Sequence, residues 1–370
     1  MSNAQNWRLV FGQDSYADFS ASVSPAVEKA VASGLVPSTV YVNVFSGDSI
    51  TIGANEDPNQ VLDLAYCRDQ GITVRRRPNG GGAIYAGKGS AFIVFYLKTD
   101  QPRIPETAAD AFPTLLGTTA QVLEQMYGIA ARYRPLNDVE IDGRKLMPTS
   151  IKLENGVMTL RILLNVTPID TEIAARALPM PPEKVKDKVH KDIGSRYTWL
   201  EREIGRTVTL ADLTEIAHRV TAEAFAPPGL TEGSLTLDEQ ALSQDFRRQM
   251  EADDWLFEKA FDRRLGTTVH PSDKIGLGRA KAVGGMIWAT LLVRDDRIAG
   301  SIINGDWHPR PLESVSWLEQ SLVGIPARED AILEHFGVFL KRQDVEFAGV
   351  AAEDLSLACS KALASLTPAQ

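Results

Sequence analysis

The segment 91–98, with the sequence AFIVFYLK, is apolar on both of its alternating faces. A strand of this kind has to be covered on both sides, so it belongs in the middle of a sheet with other layers above and below. β-Branched and aromatic runs at 39–45 and 157–166 predict further strands, and the segment DSITIG (48–53) is expected to pair with the strand at 39–45. Segments 113–128 and 209–226 have the pattern of long helices, and Thr209 with Asp212 predicts a capping box at the start of the second. The chain is therefore predicted to have a mixed α/β (α+β) fold around a large mixed sheet.

The helix and strand patterns of the first part of the chain stop at the segment APPGLTEGSLT, where Pro227, Pro228 and Gly229 follow one another. Further helix patterns, the first a helical run near 238–265, and one strand hairpin follow the break. A chain of 370 residues is long enough to bury two cores. We therefore predict a large domain of residues 1–228 and a smaller α+β domain of residues 229–370.

The overall charge and composition exclude several classes of protein. Lys and Arg number 39 against 48 Asp and Glu, which gives a formal charge of −9 and argues against nucleic-acid or membrane-surface partners. No apolar run approaches the roughly 20 residues that span a bilayer, and the N-terminus lacks the pattern of a signal peptide. Only two cysteines occur, which fits a reducing compartment, and we expect a cytoplasmic protein.

Three arginines lie almost directly before three glycines in the segment VRRRPNGGGAIYAGKGS, which begins at Val74. Glycine allows backbone N–H groups to approach a ligand closely, and the arginine guanidinium suits phosphate or carboxylate. The spacing matches neither a P-loop nor a dinucleotide-binding fingerprint. The residues alone leave two interpretations open: an exposed turn with solvated arginines, or a site for a large anion.

A second candidate site is the segment NDVEIDGRKL, residues 137–146. Asp142-Gly143 between two short apolar-alternating arms predicts a two-residue β-hairpin. Lys145 would then be held on a rigid strand, where it could stabilise a phosphate oxygen while Asp138 orients it or helps to hold a metal ion. The alternative is a solvated lysine paired with Asp138, which would contribute little.

Other catalytic signatures are missing from the sequence. The five histidines have no HxH or HExxH spacing, and no GxSxG motif occurs. Cys67 and Cys359 lie in helix patterns without a neighbouring base, so we interpret both as small core residues.

The order of the motifs resembles that of the lipoate–protein ligase family, which belongs to the wider group of biotin and lipoate attachment enzymes. The tail, with DDWLFEKAF from Asp253, resembles the accessory domain of these ligases. The segments that carry the resemblance in the first domain are, in order, TIG (51–53), RRPNGGGAIY (76–85), ND (137–138), GRK (143–145), LLNV (163–166) and GSRYTWL (194–200).

The resemblance implies a large mixed-sheet catalytic domain of the biotin/lipoate-ligase type with a smaller α+β accessory domain. It implies an enzyme that uses ATP and Mg²⁺ to activate lipoate, or a related acid, as an acyl-adenylate. The acyl group would pass to a lysine of a lipoyl carrier domain, either in the E2 component of a 2-oxoacid dehydrogenase or in a glycine-cleavage H-type protein. An apolar tunnel would hold the acyl chain.

The resemblance also implies roles for individual residues. Lys145 and Asp138 would be catalytic, and Asp138 would also be the candidate ligand of Mg²⁺. Substrate and adenylate would be bound by Arg77, Asn79, Gly80, Gly81, Gly82, Ala83, Tyr85, Ser90 and Asn137.

The sequence departs from the family pattern at several of these places. Ala86 stands where a histidine is usual, Met147-Pro148 replaces a Ser-Gly pair, and MTLR (158–161) replaces paired histidines and a Gly-Thr. Two alternatives to the ligase therefore stay open. One is an octanoyl or lipoyl transferase of the same fold, although such relatives use a cysteine and residues 137–166 contain none. The other is a non-catalytic paralogue that binds lipoylated carrier proteins.

Overall fold

The computed structural model describes residues 6–78, 80–135, 137–179, 196–265 and 268–369. Its largest sheet has eight strands, and the predicted central strand, Ala91–Lys98, lies fourth in the order. With strands numbered along the chain, the spatial order is β11 (Leu230–Gly233), β1 (Trp7–Gly12), β2 (Thr39–Val44), β6 (Ala91–Lys98), β10 (Val157–Leu164), β9 (Arg144–Glu154), β8 (Asp138–Ile141) and β7 (Arg132–Arg134).

Helices cover both faces of this sheet, as the apolar pattern of β6 requires. On one face, α5 (Ala108–Tyr127) and α8 (Leu210–Phe225) pack on the larger core cluster. On the other face lies a continuous helical run of α1 (Tyr16–Asp18), a π-helix (Phe19–Val23) and α2 (Ser24–Ala32). The predicted capping box of Thr209 and Asp212 is present at the start of α8.

A separate three-stranded sheet carries the arginine-rich segment. Its strand order is β4 (Thr73–Arg76), β3 (Ser49–Ile52) and β5 (Ile84–Ala86). The sequence pattern had suggested that β3 pairs with β2, and this expectation is wrong because both edges of β2 are taken by β1 and β6. The short helices α3 (Pro58–Val61) and α4 (Leu64–Asp69) follow β3.

Five further helices of the described residues lead from β10 into the C-terminal sheet. After β10 come α6 (Thr171–Ala177) and α7 (Leu200–Ile204). The helical run expected near 238–265 is divided into α9 (Leu237–Glu251), α10 (Asp253–Leu256) and α11 (Phe261–Arg264). The C-terminal sheet has the order β14 (Arg297–Gly305), β13 (Gly285–Arg294), β12 (Lys274–Ala282) and β17 (Thr367–Pro368).

The C-terminal core is completed by three helices and a two-stranded sheet. The helices α12 (Ser314–Leu322), α13 (Glu329–Phe339) and α14 (Ala352–Ala364) surround one apolar cluster with β13. The small sheet pairs β15 (Pro309–Arg310) with β16 (Glu346–Phe347). No helix among the described residues has the length and apolar character needed to cross a membrane.

The division into two domains stays a proposal, and the contacts around residue 229 refine it. β11, just after the expected boundary, pairs in parallel with β1 of the eight-stranded sheet. Glu239 of α9 is completely buried against Arg8 of β1. We therefore propose that the boundary lies after α9 rather than before β11.

Candidate active site

The hairpin that carries Lys145 has the predicted turn. Asp142 and Gly143 have φ values of 50° and 74°, the left-handed pair that a two-residue type I′ connection requires. A register shift at Val139/Glu140 places Glu140 opposite Lys145 and Asp138 opposite Pro148. Because Lys145 lies opposite Glu140, and Asp138 is two residues from Glu140 on the same strand, Lys145 and Asp138 lie on the same face of the sheet.

Lys145 and Asp138 form an ion pair on that face. The distance from Lys145 Nζ to Asp138 Oδ2 is 2.8 Å, and the lysine side chain is 30% exposed. The second carboxylate oxygen, Asp138 Oδ1, is buried without a hydrogen-bond partner among the described residues. The pair therefore presents a partly accessible ammonium and one unused acceptor.

A second segment fixes the backbone at Lys145. The N–H of Thr198 donates to the carbonyl of Lys145 at 2.9 Å, and Tyr197 forms a parallel bridge with Lys145. The N–H of Asn165 donates to the carbonyl of Leu146 at 3.2 Å, and Leu200 N–H donates to the carbonyl of Asn165 at 2.8 Å. Lys145 is thus held from both sides, which is the preorganisation that a precisely placed charge needs.

A cavity of about 410 Å³ opens beside this ammonium. Most of its lining is apolar. Two of the predicted binding residues, Ala83 and Tyr85, line it together with Lys145. The lining residues are Ala83, Ile84, Tyr85, Lys145, Pro148, Leu163, Asn165, Ile169, Thr171, Ala174, Ala175, Leu178 and Tyr197.

Several of these lining residues were missed by reasoning from the sequence. Leu163 and Asn165 belong to the LLNV motif and Tyr197 to the RYT motif, so the signal was present but no site role was assigned. The residues of α6 carry no motif. Only the tertiary packing of α6 brings Ala174 and Ala175 over the cavity.

The three arginines are bound within the protein rather than directed at open solvent. Arg76 is completely buried, and its guanidinium donates to the carbonyls of Gly53 (3.1 Å) and Ala54 (2.9 Å). On the other side it reaches the carbonyls of Trp255 (2.9 Å) and Leu256 (2.6 Å). Burial lowers the pKa of Arg76 to about 10. Arg76 therefore ties the small sheet to the region after α9.

The other two arginines also have protein partners. Arg75 pairs with Asp18 at 3.1 Å and with Glu251 at 3.2 Å. Arg77, predicted to bind the adenylate, donates to the carbonyls of Gly80 and Gly82, both at 2.9 Å. The guanidinium of Arg77 thus holds the glycine turn together, and its role in binding a ligand stays a prediction.

Residues of the C-terminal region pack directly on the glycine turn. A Cβ atom at Gly80 would lie 3.1 Å from His308 Nδ1, and one at Gly82 would lie 3.2 Å from Asp306 Cβ. At the back of the turn, a Cβ atom at Gly53 would lie only 1.9 Å from the carbonyl oxygen of Gly81. The absence of side chains here therefore permits close packing between protein segments.

His308 is the member of this contact that sequence reasoning missed. Burial and the nearby guanidinium groups of Arg77 and Arg310 lower its pKa, whereas Asp306 opposes the shift. Nothing in its sequence neighbourhood marked it, because the glycine turn that it contacts lies more than 200 residues earlier in the chain.

The remaining predicted binding residues lie at the edges of the site. Asn137 Nδ2 donates to the carbonyl of Thr149 at 2.8 Å, which supports the base of the hairpin. Ser90 is buried at the start of β6, where its hydroxyl accepts from the N–H of Val166 at 3.4 Å. Asn79 lies outside the described residues. Neither Asn137 nor Ser90 lines the cavity, so their binding roles stay predictions.

Both cysteines are buried thiols. Burial raises the pKa of Cys67, and it raises the pKa of Cys359 to about 12. Neither side chain lines the cavity. The site therefore contains no thiol nucleophile among the residues that line it.

The surroundings of Asp138 bear on whether it can serve as a ligand of the expected Mg²⁺. No group of three or more His, Cys, Asp or Glu side chains suited to a metal occurs in the described part of the chain. Mg²⁺ in nucleotide sites is commonly held by one or two carboxylates together with substrate phosphates. The unpartnered Oδ1 of Asp138 fits that minimal arrangement.

Comparison with known families agrees with this fold. The model of the lipoyl protein ligase A/B catalytic domain matches residues 23–221, which is more than half of the chain. The chain therefore belongs to the lipoyl protein ligase A/B catalytic domain family.

Individual relatives come from two functional groups. The chain is 25% identical over 339 residues to the lipoate–protein ligase LplJ of Bacillus subtilis, a match that covers 90% of this chain and 94% of the relative. It is 22% identical over 278 residues to the octanoyltransferase LipM of Kyrpidia tusciae, covering 69% of this chain and all of the relative. Sequence similarity therefore places the chain among lipoate ligases and octanoyltransferases without separating them.

Solved structures support the fold. The structure of P. falciparum LipL1 in complex with lipoate has a TM-score of 0.65 at 16% identity and covers 92% of this chain and 95% of its own. A lipoate–protein ligase A bound with ATP has a TM-score of 0.54 at 18% identity and covers 68% of this chain and 99% of its own. The predicted fold, a large mixed-sheet catalytic domain of the lipoate-ligase type, is confirmed.

Proposed function

We propose that the protein is an ATP-dependent lipoate–protein ligase. It activates lipoate or a closely related acid and transfers the acyl group to a lysine of a lipoyl carrier domain. The observation that carries this proposal is the Lys145 ammonium, held 2.8 Å from Asp138 at the wall of an apolar cavity of about 410 Å³. We also propose a cytoplasmic location, in keeping with two free cysteines.

The position of Lys145 suits activation of a carboxylate. Negative charge builds on the oxygens between acid and phosphate during this reaction, and a preorganised cation beside them lowers the barrier. Asp138 orients the ammonium through their ion pair. Lys145 would therefore stabilise the reacting oxygens, with Asp138 as its positioning residue.

The cavity suits the acyl chain. Ligand pockets typically measure about 300–1,000 Å³ and combine apolar walls with a few polar groups. At about 410 Å³, this cavity is at the lower end of that range, so it suits the acyl chain better than the whole adenylate. The carboxyl group would lie at Lys145, and the chain would extend between Leu163 and the residues of α6.

ATP enters the proposal as the second substrate, since a lipoate–protein ligase A of the same fold has been seen with ATP bound. We propose that Asp138 Oδ1 contributes to holding the accompanying Mg²⁺. When bound, this ion would neutralise charge on the phosphate oxygens.

A further relative indicates the kind of carrier protein that would receive the acyl group. An archaeal bipartite lipoate–protein ligase from Thermoplasma acidophilum has been described together with its E2 lipoyl domain, and that structure has a TM-score of 0.55 with this chain at 21% identity. We propose a carrier of this kind, either an E2 lipoyl domain or an H-type protein.

The transferase is the competing proposal, because several octanoyltransferases match the sequence. A transferase that works through a thioester needs a reactive thiolate beside the acyl chain. Cys67 and Cys359 are buried, have raised pKa values and do not line the cavity. This observation favours direct use of ATP over a thioester mechanism.

The test incubates the purified protein with a lipoyl domain that lacks its acyl group. One sample receives lipoate, ATP and Mg²⁺, and another receives an octanoylated carrier without ATP. We expect the lipoyl mass to appear on the domain, with pyrophosphate release, only in the first sample. Transfer in the second sample alone would establish the transferase, and a folded protein inactive in both would support the non-catalytic binder.

A further inference from the structure

The glycine turn, residues 80–82, has backbone donors that the protein does not use. None of the described residues accepts a hydrogen bond from the N–H of Gly80, Gly81 or Gly82. Gly81 has a φ of 90°, which an L side chain would disfavour. Successive N–H groups in a turn form a concave site for an anion, and glycine lets the anion come close to them. The turn can therefore contribute its backbone to binding a negatively charged group.

A cationic cluster of Arg77, His308 and Arg310 surrounds this turn. Arg77 Nη2 and His308 Nε2 lie 3.0 Å and 3.3 Å from the point that a Cβ atom of Gly81 would occupy. His308 Nδ1 lies 3.1 Å from the corresponding point at Gly80. Partial burial is the main cause that lowers the pKa of His308, and the charges of Arg77 and Arg310 lower it further. Arg310 therefore acts on the same place as Arg77, although it comes from the C-terminal region.

The two side chains from the C-terminal region have no task within the protein. Both are exposed, and neither side chain has a hydrogen bond or an ion pair in the part of the chain that the structure describes. Glu346 lies opposite Arg310 in the small sheet, but the two side chains do not come within ion-pair distance. Asp306 has the opposite charge near His308, and its Oδ1 accepts from the N–H of Met286. His308 and Arg310 thus keep their donors for a ligand.

The segment that carries these two side chains is firmly held. Trp307 is completely buried, and its ring centre lies 4.7 Å from that of Phe347. Pro309 is buried as well and pairs with Phe347 in the small sheet. Because alternate residues of an extended chain point to opposite sides, His308 and Arg310 point away from this core. Their positions are therefore set before any ligand arrives, which a binding site requires.

The glycine turn leads directly to the cavity beside Lys145. Gly82 is followed by Ala83, which lines that cavity together with Tyr85 and Lys145. Consecutive Cα atoms are about 3.8 Å apart, so an anion held at the turn would lie next to the cavity wall. With the α-phosphate of ATP at Lys145, the next groups along the nucleotide are the β- and γ-phosphates. Their charge and oxygens match the fork of an arginine and the N–H groups of a turn.

We propose that His308 and Arg310 bind the β- and γ-phosphates of ATP at the glycine turn, together with Arg77. This inference rests on the proposed function, because it assigns ATP to this site, and it gives the C-terminal region a part in binding the substrate. In the activation step, a carboxylate oxygen of the acid bonds to the α-phosphorus. The bond from that phosphorus to the bridging oxygen breaks, and pyrophosphate leaves with the bonding electrons. The cationic cluster stabilises the charge on this leaving group.

Direct binding tests the proposal on the whole protein. Calorimetry measures the affinity for inorganic pyrophosphate and for AMP, which lacks the β- and γ-phosphates. We expect His308→Ala and Arg310→Ala each to weaken pyrophosphate binding roughly three- to tenfold, because exposed cations are partly screened, and to leave AMP binding unchanged. Arg310→Lys keeps a cation and should retain most of the affinity. Arg68→Ala is the matched control, since Arg68 is another exposed arginine without an ion pair among the described residues.

Kinetics supply a second measurement that a merely structural role would not change. In the exchange of labelled pyrophosphate into ATP, the two alanine variants should raise the KM for ATP and leave the KM for lipoate unaltered. Both residues are exposed, so thermal unfolding should be the same as in the wild type. An equal rise in both KM values would mean that the substitutions disturb the whole site instead of the phosphate contacts.

The outcomes separate this inference from the proposed function. A protein that binds ATP, with unchanged pyrophosphate affinity in both alanine variants, would overturn the inference and leave the ligase proposal intact. Unchanged pyrophosphate affinity with a raised KM for the carrier domain would assign the two residues to carrier docking instead. An equal loss in Arg68→Ala would reduce the effect to general surface charge. A folded wild type that binds neither ATP nor pyrophosphate would overturn the use of ATP, and the inference with it.

Discussion

The Lys145 hairpin and the arginine–glycine segment lie close to the same cavity but are stabilised in different ways. The hairpin is defined by the local turn at Asp142-Gly143 and by the nearby residues 197–200. The arginine–glycine segment is held mainly by residues of the region after α9, which contact Arg76 and the glycine turn from more than 170 residues away.

This difference determines which charges are available for chemistry. Lys145 has one carboxylate partner and stays partly exposed at the cavity wall. Arg76 has four carbonyl partners and is completely buried. We infer that the hairpin supplies the reacting cation, whereas the arginine–glycine segment joins the two regions of the molecule.

The largest effect is expected from Lys145→Ala. Removing a cation that stabilises developing charge should reduce the rate of acid activation about 10²- to 10³-fold. The free energy of unfolding should change by less than about 1 kcal/mol, because a partly exposed ion pair contributes little. Lipoyl transfer kinetics and thermal unfolding check the two parts. Lys88→Ala, at an exposed lysine outside the cavity, should leave both unchanged.

Arg76→Ala should instead have its main effect on the stability of the fold. It leaves four carbonyls without their donor, two of them in the buried residues Gly53 and Ala54, and we expect a loss of about 3 kcal/mol in the free energy of unfolding. Arg75→Ala is the control, since its pairs are more exposed and should contribute less than about 1 kcal/mol. Denaturant unfolding measures both. Equal losses in the two variants would contradict the role of Arg76 as the joining residue.

A pair of glycine substitutions compares the two regions directly. Gly53→Ala would place a Cβ atom 1.9 Å from the carbonyl oxygen of Gly81, and such overpacking costs about 1–3 kcal/mol. Gly143→Ala has open space around it and carries only the strain of its positive φ, about 1 kcal/mol. Unfolding curves should therefore show the larger loss at Gly53. A larger loss at Gly143 would mean that the glycine turn is loosely packed.

The smallest effect concerns pH. Burial and neighbouring guanidinium groups lower the folded-state pKa of His308 below its ordinary value of 6.5. The unfolded chain then takes up a proton first, so stability falls as the pH decreases through about 6.5. We expect the free energy of unfolding to fall by less than about 1 kcal/mol between pH 7.5 and 5.5, because solvent screens these charges. In thermal unfolding, the wild type should lose more stability than His308→Gln when the pH is lowered. Equal losses of stability would show that His308 does not cause the pH dependence.

The same contrast explains how far the sequence could predict the molecule. The hairpin turn, the central strand and the capping box of Thr209 depend on neighbours in the chain, and all three are confirmed. The pairing of β3, the contacts of Arg76 and the position of α6 over the cavity depend on distant partners. No local pattern encodes such contacts, so a run of arginines beside glycines was open to two interpretations.

The most direct test of the ligase proposal is the exchange of labelled pyrophosphate into ATP. The exchange requires a reversible acyl-adenylate and does not depend on any carrier protein. We expect the wild-type protein to catalyse it only when lipoate or a similar acid is present, and Lys145→Ala to lose it while remaining folded. Exchange at an unchanged rate in Lys145→Ala, or none in a folded wild-type protein supplied with lipoate and Mg²⁺, would contradict the account.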